Sequence, residues 1–504
     1  MLRASSYTIY VTLPNNDQEM LLVHGYTGAF DKVSRSVGEY VRSLEVATPE
    51  KPLHGEWVSE PAARPCASPP TPSDATIEVL KRRGYLTLMS TDEEVGYLAR
   101  LVKKIHRNAV RNAPSYIFMP TYNCNLRCGY CFQDHMRTNP AFRHLLRTIT
   151  PEMVDRIVAA YPSIEASHGI EPGQQVHRSV GFFGGEPLLA ENRPVVQYIM
   201  DKTRELGTAR FWAVSNATEL EAYEDLLGPG GIEDVQITMD GPPEEHDKRR
   251  IYADGSGSFE RIARNLDRCL DRGVSVSLRM NIDRGNIGQL PALADTIVAR
   301  GWEGRRGFSC YTAPITNSER TITLKQIKEK YFDSWELDQA IDDLRERHPA
   351  MRVIGRPDDK MVARVRKLFD QHATTPDIKS AFCGAHTSMY IFDAFGDIYA
   401  CWERTGDASI RIGRVLDGGH VEINEAMNRL WRTRTPASNP VCRKCRYNLH
   451  CGGGCAVLAE GRSGKIHSNY CDGFAERFRH SVATAYTTFV NGEAVAEQAR
   501  VCDL

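Results

Sequence analysis

The chemistry in this sequence is concentrated in closely spaced cysteines. Cys124, Cys128 and Cys131 follow a C-x3-C-x2-C pattern within one short segment. An iron–sulfur cubane is normally held by four Cys thiolates, so three thiolates would leave its fourth iron open to a small molecule. Cys-x2-Cys pairs also bind zinc, and His135 follows closely enough to complete such a site. The segment alone leaves both interpretations open.

The cysteine triad, with Phe132 directly after it, resembles the signature of the radical S-adenosylmethionine (SAM) enzymes. In that family the open iron binds the amino and carboxylate groups of SAM. One electron from the cluster cleaves SAM, and the resulting 5′-deoxyadenosyl radical abstracts a hydrogen atom from the substrate. The resemblance implies SAM and a SAM-binding [4Fe–4S] cluster as cofactors, with an electron donor such as flavodoxin or ferredoxin.

Further SAM contacts are expected at the ends of successive strands. The Gly-Gly-Glu-Pro motif resembles the one that binds the SAM amino group, although Gly and Pro also dominate plain turns. Ser-Asn after the third strand resembles the ribose-contacting position. An Arg on the fifth strand can pair with the SAM carboxylate, and a surface ion pair is its alternative. The residues expected to bind SAM are Phe132, Gly184, Gly185, Glu186, Pro187, Ser215, Asn216 and Arg279.

Seven cysteines in the C-terminal third form a second pattern. Their order matches the SPASM extension, the auxiliary-cluster domain of a radical SAM subgroup, and a tandem zinc site is the chemical alternative. The resemblance implies two auxiliary [4Fe–4S] clusters and therefore three clusters in all. The ligands implied for one auxiliary cluster are Cys442, Cys445, Cys451 and Cys471, and those implied for the other are Cys383, Cys401 and Cys455.

The second auxiliary group lacks a fourth cysteine. Some members of the subgroup have one shortly after the position of Cys383, but Gly384–Met389 contains none. The fourth iron is therefore expected to be open or held by a non-Cys ligand. The remaining cysteines receive no role, since free Cys is usually a small buried hydrophobe, although Cys310 at a strand end is a spare candidate. They are Cys66, Cys269, Cys310 and Cys502.

Short apolar runs alternate with longer helical patterns between about residues 115 and 312, which predicts βα units around a parallel sheet. Six units predict an α/β fold with a partial (β/α)6 barrel, as in the radical SAM fold, where loops at the C-terminal strand ends build the site. The predicted strands are Ser115–Pro120, Ser179–Phe183, Arg210–Val214, Asp234–Met239, Val274–Ile282 and Arg306–Tyr311. The predicted helices are Glu152–Tyr161, Pro194–Leu206, Phe259–Arg272 and Ile287–Arg300.

Five regions are expected along the chain. Residues 1–90 predict a small α+β domain with strands at 7–13 and 19–24, helices at 36–44 and 75–83, and a Pro-rich loop. This domain weakly resembles winged-helix modules that capture leader peptides by strand addition, and a plain capping domain fits equally well. The others are the barrel (110–315), a helical bridge (316–380) with its clearest helical stretch at Leu324–Glu346, the SPASM domain (381–480) and a C-terminal helix or tail (481–504).

Composition limits the partners and the compartment. The 63 basic and 64 acidic residues give no electrostatic reason for binding nucleic acid or an anionic membrane. No apolar run reaches the roughly 18 residues of a membrane span, and the start lacks the apolar core of a signal peptide. Clustered cysteines without such a signal indicate metal ligation in a reducing compartment. We expect a cytoplasmic enzyme.

SPASM enzymes mostly modify peptides, so the resemblance implies a maturase that installs a cross-link or other oxidative change in a ribosomally made precursor peptide with a leader segment. Sulfatase maturases carry an Asp base directly after the cysteine corresponding to Cys401, whereas Trp402 stands there and Glu403 is the candidate base. His246 and Asp247 are expected to be structural or substrate-facing. The alternatives are a sulfatase-maturase-like Cys or Ser dehydrogenase and a cluster-bearing scaffold or electron carrier, which would need no SAM pocket.

Overall fold

The computed structural model describes residues 1–46, 69–318, 323–370 and 378–492. Its first part contains a three-stranded antiparallel sheet, a two-stranded pair and three helices. They are β1 (Arg3–Ala4), β2 (Thr8–Leu13), β3 (Asn16–His24), β4 (Phe30–Ser34), α1 (Arg35–Ser43), α2 (Asp74–Arg83), β5 (Leu86–Thr87) and α3 (Thr91–Val110). The predicted strands and helices of this part are present with slightly shifted ends, whereas β4 and α3 were not predicted. Most of the predicted Pro-rich loop, with Cys66, lies outside the described residues, as does Cys502.

A run of parallel strands and intervening helices follows. The predicted α/β fold with six βα units is confirmed, because each predicted strand is present and runs parallel to its neighbours. The elements are β6 (Ser115–Phe118), α4 (Asp134–Thr138), α5 (Pro151–Ser167), β7 (Arg178–Phe182), α6 (Arg193–Glu205), β8 (Ala209–Ser215), β9 (Ile232–Thr238), α7 (Pro243–Arg249), α8 (Phe259–Asp271), β10 (Ser275–Ile282), α9 (Leu290–Ala299) and β11 (Phe308–Pro314).

The C-terminal third combines helices with short strands. Its elements are α10 (Leu324–Lys330), α11 (Ser334–Arg347), α12 (Asp359–Asp370), β12 (Met389–Phe392), β13 (Asp397–Tyr399), β14 (Gly413–Val415), β15 (Val421–Ile423), α13 (Glu425–Arg432), α14 (Asn448–Cys451), α15 (Ala456–Ser463) and α16 (Phe474–Val490). Among the described residues, no helix combines the length and apolar character needed to cross a membrane.

The predicted helical stretch Leu324–Glu346 is interrupted once. Two helices, α10 and α11, occupy this stretch, and Tyr331 between them has an extended backbone with φ −116° and ψ 158°. Asp333 starts the second helix because its side chain accepts from the backbone N–H of Glu336, and the Glu336 side chain accepts from that of Asp333. This reciprocal capping satisfies N–H groups that a continuous helix would have paired internally.

The C-terminal strands extend the barrel sheet. In the described part of the chain the strand order is β11-β10-β9-β8-β7-β6-β12-β13-β14-β15. β12 runs parallel to β6 with Ile391 opposite Ile117, and the later strands are antiparallel. Cys383 precedes this extension and Cys401 follows β13, so the extension fixes both cysteines relative to the barrel.

The N-terminal sheet shares a hydrophobic core with the C-terminal helices. Its buried side chains come from β2, β3, α12, α16 and the segment before α14. They include Ile9, Val11, Leu21, Val23, Val362, Val365, Tyr447, Phe478 and Val482. Burial of apolar surface is the main favourable term in folding, so the N-terminal residues stabilise the region that carries the last cysteines.

Candidate functional site

The Cys124–Cys131 segment follows β6 and lies directly against the end of β7. Gly185 makes this approach possible, because a Cβ there would lie 2.1 Å from the Asn123 carbonyl oxygen and 2.4 Å from that of Tyr122. The Glu186 N–H donates to the Asn123 carbonyl at 2.7 Å. A glycine is needed where two backbones come this close.

Glu186 connects the end of β7 to the end of β8. Its fully buried carboxylate accepts from Ser215 Oγ at 2.8 Å, from the Asn216 N–H at 2.6 Å and from the Leu188 N–H at 2.9 Å. Burial raises the pKa of this carboxyl to about 7, and the three hydrogen bonds oppose that shift. Ser215 and Asn216 are thereby held beside the predicted SAM-binding motif.

Asn216 continues this contact into the cysteine segment. Its Nδ2 donates to Asn125 Oδ1 at 2.9 Å and lies 3.7 Å from Cys124 Sγ. Its Oδ1 accepts from the Thr218 N–H at 2.9 Å. One asparagine therefore fixes the first cysteine relative to the end of β8.

Tyr130 attaches the other half of the segment to β9 and β10. Its hydroxyl donates to Asp240, which follows β9, and accepts from Arg250 Nη1 at 2.6 Å and from Asn281 Nδ2 at 3.1 Å. The Asn281 N–H donates to the other Asp240 carboxylate oxygen at 2.9 Å. The ends of five neighbouring strands thus converge on the cysteine segment.

Two arginines place positive charge beside the three thiols. Arg137 has a side chain only 2% exposed, and its Nη2 lies 3.3 Å from Cys131 Sγ. Burial raises the pKa of Cys128, and the buried Arg250 opposes that shift. Burial also raises the pKa of Cys124 to about 12. Cys124 and Cys128 therefore favour the protonated form until a metal displaces the proton, and the nearby cations stabilise thiolates in this segment.

Arg279 and Glu403 lie close enough for their charges to interact. Arg279 on β10 donates from Nε to Asn281 Oδ1 at 2.9 Å, which connects it to the Tyr130 network. Burial raises the pKa of Glu403, and the Arg279 charge lowers it. Phe132, in contrast, is 40% exposed, and the adjacent Gln133 is buried.

The segment from Cys401 to Thr405 joins the C-terminal region to the barrel. Trp402 stacks on Phe183, which precedes the Gly-Gly-Glu-Pro motif. Gln133, which lies two residues after Cys131, donates from Nε2 to Thr405 Oγ1 at 3.4 Å. The predicted base Glu403 is in this segment, close enough to Arg279 and to Cys401 for their charges to interact.

The C-terminal cysteines lie in two groups. Cys442, Cys445, Cys451 and Cys471 line one common pocket. Burial raises the pKa of the Cys401 thiol, and the nearby Cys455 and Cys383 thiols raise it further. The sequence had placed the same cysteines together.

The spacing of the donors bears on which metal they can hold. Across residues 1–46, 69–318, 323–370 and 378–492, no three or more His, Cys, Asp or Glu side chains are placed to hold a single metal ion. Zinc would draw thiolates to about 2.3 Å from one centre, whereas a cubane binds each thiolate through a different iron. Thiols are the donors that an iron–sulfur cluster takes, and each of the three groups contains three or four of them.

The structure also shows the contacts of four other residues that the sequence singles out. His246 is fully buried beside Ser258 Oγ at 3.0 Å, and Asp247 accepts from the Ser258 and Phe259 N–H groups at the start of α8. Cys269 is buried within α8, and Cys310 Sγ donates to the Val353 carbonyl at 2.8 Å. His246 Nδ1 also accepts from the Asp240 N–H at 3.4 Å, so His246 supports the residue to which Tyr130 of the cysteine segment donates.

Residues 118–296 match the family model described as the radical SAM superfamily. These residues form a radical SAM domain. The matched range contains the Cys124–Cys131 segment, Gly184–Pro187, Asn216 and Arg279, which the fold brings to one end of the sheet.

Curated relatives resemble the radical SAM domain and, in one case, a longer part of the chain. Fe-coproporphyrin III synthase of Methanosarcina barkeri is 24% identical over 184 residues, covering 36% of this chain and 41% of that protein. The cysteine-type anaerobic sulfatase-maturating enzyme of Clostridium perfringens is 21% identical over 401 residues, covering 71% and 93% respectively. The chain spans 41% to 50% of the length of the first four curated relatives that it matches.

A solved structure shares much of this fold. Native anSMEcpe with bound AdoMet and Cp18Cys peptide aligns with a TM-score of 0.52 and 15% identity. The alignment covers 75% of this chain and 98% of that chain.

Proposed function

We propose that this chain is a radical SAM maturase that installs a cross-link or another oxidative modification in a ribosomally made precursor peptide. The observation that carries the proposal is the convergence of five strand ends on Cys124, Cys128 and Cys131 within the radical SAM domain. When bound there, the [4Fe–4S] cluster would supply the electron that cleaves SAM. The C-terminal groups would hold two auxiliary clusters that accept an electron from the substrate.

Glu186 and its neighbours are proposed to hold SAM. An ionised carboxylate offers about four acceptor positions, and three donors already use part of the capacity of Glu186. An ammonium group can take the remaining one, and its charge would keep Glu186 ionised. Arg279 is proposed to bind the SAM carboxylate, since a guanidinium pairs well with that group.

Glu403 remains the proposed base. Burial raises its pKa above the ordinary range, which improves a carboxylate as a proton acceptor near neutral pH. Its charge also raises the pKa of Cys401 and Cys455, so it lies beside the three-cysteine group. A proton could therefore leave the substrate where an auxiliary cluster accepts the electron.

A peptide substrate is supported by two observations. The structural neighbour holds a peptide, which we extend to this chain by its shared fold. Within the described residues, β4 pairs only with β3, and we propose that a leader segment adds as a strand at its other edge, beyond the Phe30 carbonyl, which already accepts from Arg83 Nη2 at 3.3 Å. Because β2 and β3 share a core with α12 and α16, deleting residues 1–90 would also disturb the cysteine-bearing region and is not a clean test of leader binding.

A sulfatase-maturase-like dehydrogenase is the second candidate. The alignment that covers 93% of the Clostridium perfringens enzyme favours it. Sulfatase maturases carry an Asp directly after the cysteine that corresponds to Cys401, whereas the acidic residue here is Glu403, one position later. This difference favours a different substrate. Two peptides distinguish the candidates: one encoded by a short reading frame beside the gene, and one sulfatase-derived peptide that contains the target Cys or Ser.

The first experiment measures cofactors and SAM cleavage. Three [4Fe–4S] clusters correspond to about twelve irons per chain. Anaerobically reconstituted, reduced protein should contain them and release 5′-deoxyadenosine, whereas Cys124→Ala/Cys128→Ala/Cys131→Ala should lose about a third of the iron and all SAM cleavage. Stoichiometric zinc with little iron would contradict the proposal.

The second experiment tests leader capture at β4. Proline and alanine are introduced one position at a time into the leader of the neighbouring-frame peptide, and binding is measured by fluorescence anisotropy. Proline should weaken binding more than alanine does, because it removes a backbone donor. Equal effects of the two substitutions would leave the N-terminal sheet without a role in recognition.

A further inference from the structure

A single buried arginine contacts the segments that carry both groups of C-terminal cysteines. Arg434 follows α13 and is 2% exposed. Its guanidinium donates to the carbonyl oxygens of Gly453 and Gly454, each at 2.9 Å. It also donates to those of Ile466 at 2.7 Å and Ser468 at 3.0 Å. Four hydrogen bonds from one planar guanidinium fix the segment at Gly453 and Gly454 relative to the segment at Ile466 and Ser468.

The acceptors of Arg434 occupy particular places in the sequence. Gly453 and Gly454 lie between Cys451 of the four-cysteine group and Cys455 of the three-cysteine group. Gly454 has φ +71°, and a Cβ on it would lie 1.9 Å from the Tyr470 carbonyl oxygen, so this link has little freedom to move. Ile466 and Ser468 precede Cys471. Arg434 therefore holds the link between the two groups.

The charge of Arg434 reaches both groups. Its guanidinium donates to the carbonyl of Gly454, which directly precedes Cys455 in one group, and to that of Gly453, two residues after Cys451 in the other. Each hydrogen bond described for Arg434 goes to a main-chain carbonyl, so no hydrogen-bonded carboxylate offsets its charge. A cation in this position stabilises negative charge on either side of it.

We propose that Arg434 is a shared positioning residue that holds both auxiliary cysteine groups and raises the reduction potentials of both clusters. The inference rests on the auxiliary clusters of the proposed function. Cluster potentials depend on local net charge and on hydrogen bonding. An added electron is favoured near a cation, so one side chain adjusts both electron acceptors together.

Arg432 supplies a matched control two residues away. It donates to the carbonyls of Gly384 at 3.2 Å, Ala385 at 3.0 Å and Met389 at 2.7 Å, beside the Cys383 segment. Gly384 and Ala385 directly follow Cys383 in the three-cysteine group. Arg432 should therefore influence the three-cysteine cluster and leave the four-cysteine cluster unchanged.

The test measures potentials and requires neither SAM nor substrate. Arg434→Met, Arg434→Lys and Arg432→Met are made in the Cys124→Ala/Cys128→Ala/Cys131→Ala chain, so that only the auxiliary clusters contribute to EPR-monitored redox titrations. The two signals are assigned with variants that lack Cys401 or Cys442. Arg434→Met should shift both midpoint potentials downward, Arg434→Lys should shift both less, and Arg432→Met should shift only one.

The iron content of each variant distinguishes the loss of a cluster from a change in its potential. If Arg434→Met retains both clusters and either potential stays at the parent value, the shared role is overturned. If Arg434→Met loses iron from both groups while Arg434→Lys keeps it, the shared role is supported, and loss from one group alone contradicts it. A parent protein without two auxiliary clusters would instead overturn the proposed function.

Discussion

Trp402 stacks on Phe183, with ring centroids 5.2 Å apart and an interplanar angle of 29°. Phe183 directly precedes the Gly184–Pro187 motif, and Trp402 directly follows Cys401. The pair connects the radical SAM domain to the three-cysteine group through an aromatic contact, which adds to the area that both rings bury.

A double-mutant cycle should detect this contact. Phe183→Leu and Trp402→Leu should each lower the melting temperature, and the double variant should lose less than the sum of the two losses. Aromatic pairs typically contribute about 0.5–1.5 kcal/mol beyond burial. Phe183→Leu combined with Trp302→Leu is the control, because Trp302 packs beside Phe308 instead. Additivity in the first pair would show that the stacking contributes nothing.

Gly185→Ala should prevent correct placement of the first cysteine segment. The new Cβ would overlap the Asn123 and Tyr122 carbonyl oxygens, so iron content should fall by about one cluster and SAM cleavage should stop. Gly304→Ala is a suitable control, since a Cβ there meets nothing within 4 Å. Full iron content and SAM cleavage in Gly185→Ala would refute the close approach.

Removing the Arg137 charge should make the cluster at the first cysteine segment easier to lose. Arg137→Gln takes a cation from beside Cys131, so iron should pass to an added chelator faster than in the parent protein. Arg137→Lys should show a smaller effect, because it keeps the positive charge but lacks the planar guanidinium with its several donors. The exposed Arg143 gives a control in Arg143→Gln. Identical rates for Arg137→Gln and the parent would exclude this role.

Asp338 should make stability depend on pH. Burial raises its pKa from 3.8 to about 7, despite the Arg477 charge, so between these values the unfolded chain releases a proton that the folded chain keeps. Stability should therefore fall as pH rises from about 4 to about 7 and level off above that. Asp338→Asn should flatten this part of the profile in melting temperatures of the holoprotein. A variant with the parent's slope would assign the pH dependence to other groups.

The sequence predicts the barrel because each of its strands is a clear apolar run between helical patterns. It does not predict β12–β15, since strands of three or four residues are too short to show a period. α3 had a readable signal, because Ser90 and Glu93 form a capping box at its start. The break between α10 and α11 was missed because the capping pair Asp333 and Glu336 lies inside a continuous charged pattern.

The cysteine groups follow from spacing, but their surroundings do not. Arg137, Arg250 and Arg434 reach the thiols from separate elements, and each has only an ordinary sequence context. Tyr130 lies inside the recognised segment, but its partners on β9 and β10 depend on strand order. Charges that act through space leave no periodic signal in the sequence, so the structure was needed to find them.

The pairing of β6 with β12 also affects how the chain folds during its synthesis. More than half of the 504 residues separate Ile117 from its partner Ile391. During synthesis the open edge of β6, beside the first cysteine segment, stays without this neighbour until β12, which ends at Phe392, has left the ribosome. Contacts so distant in sequence form slowly, and unpaired strand edges promote aggregation. Nascent chains that stop before β12 should therefore depend most strongly on chaperones.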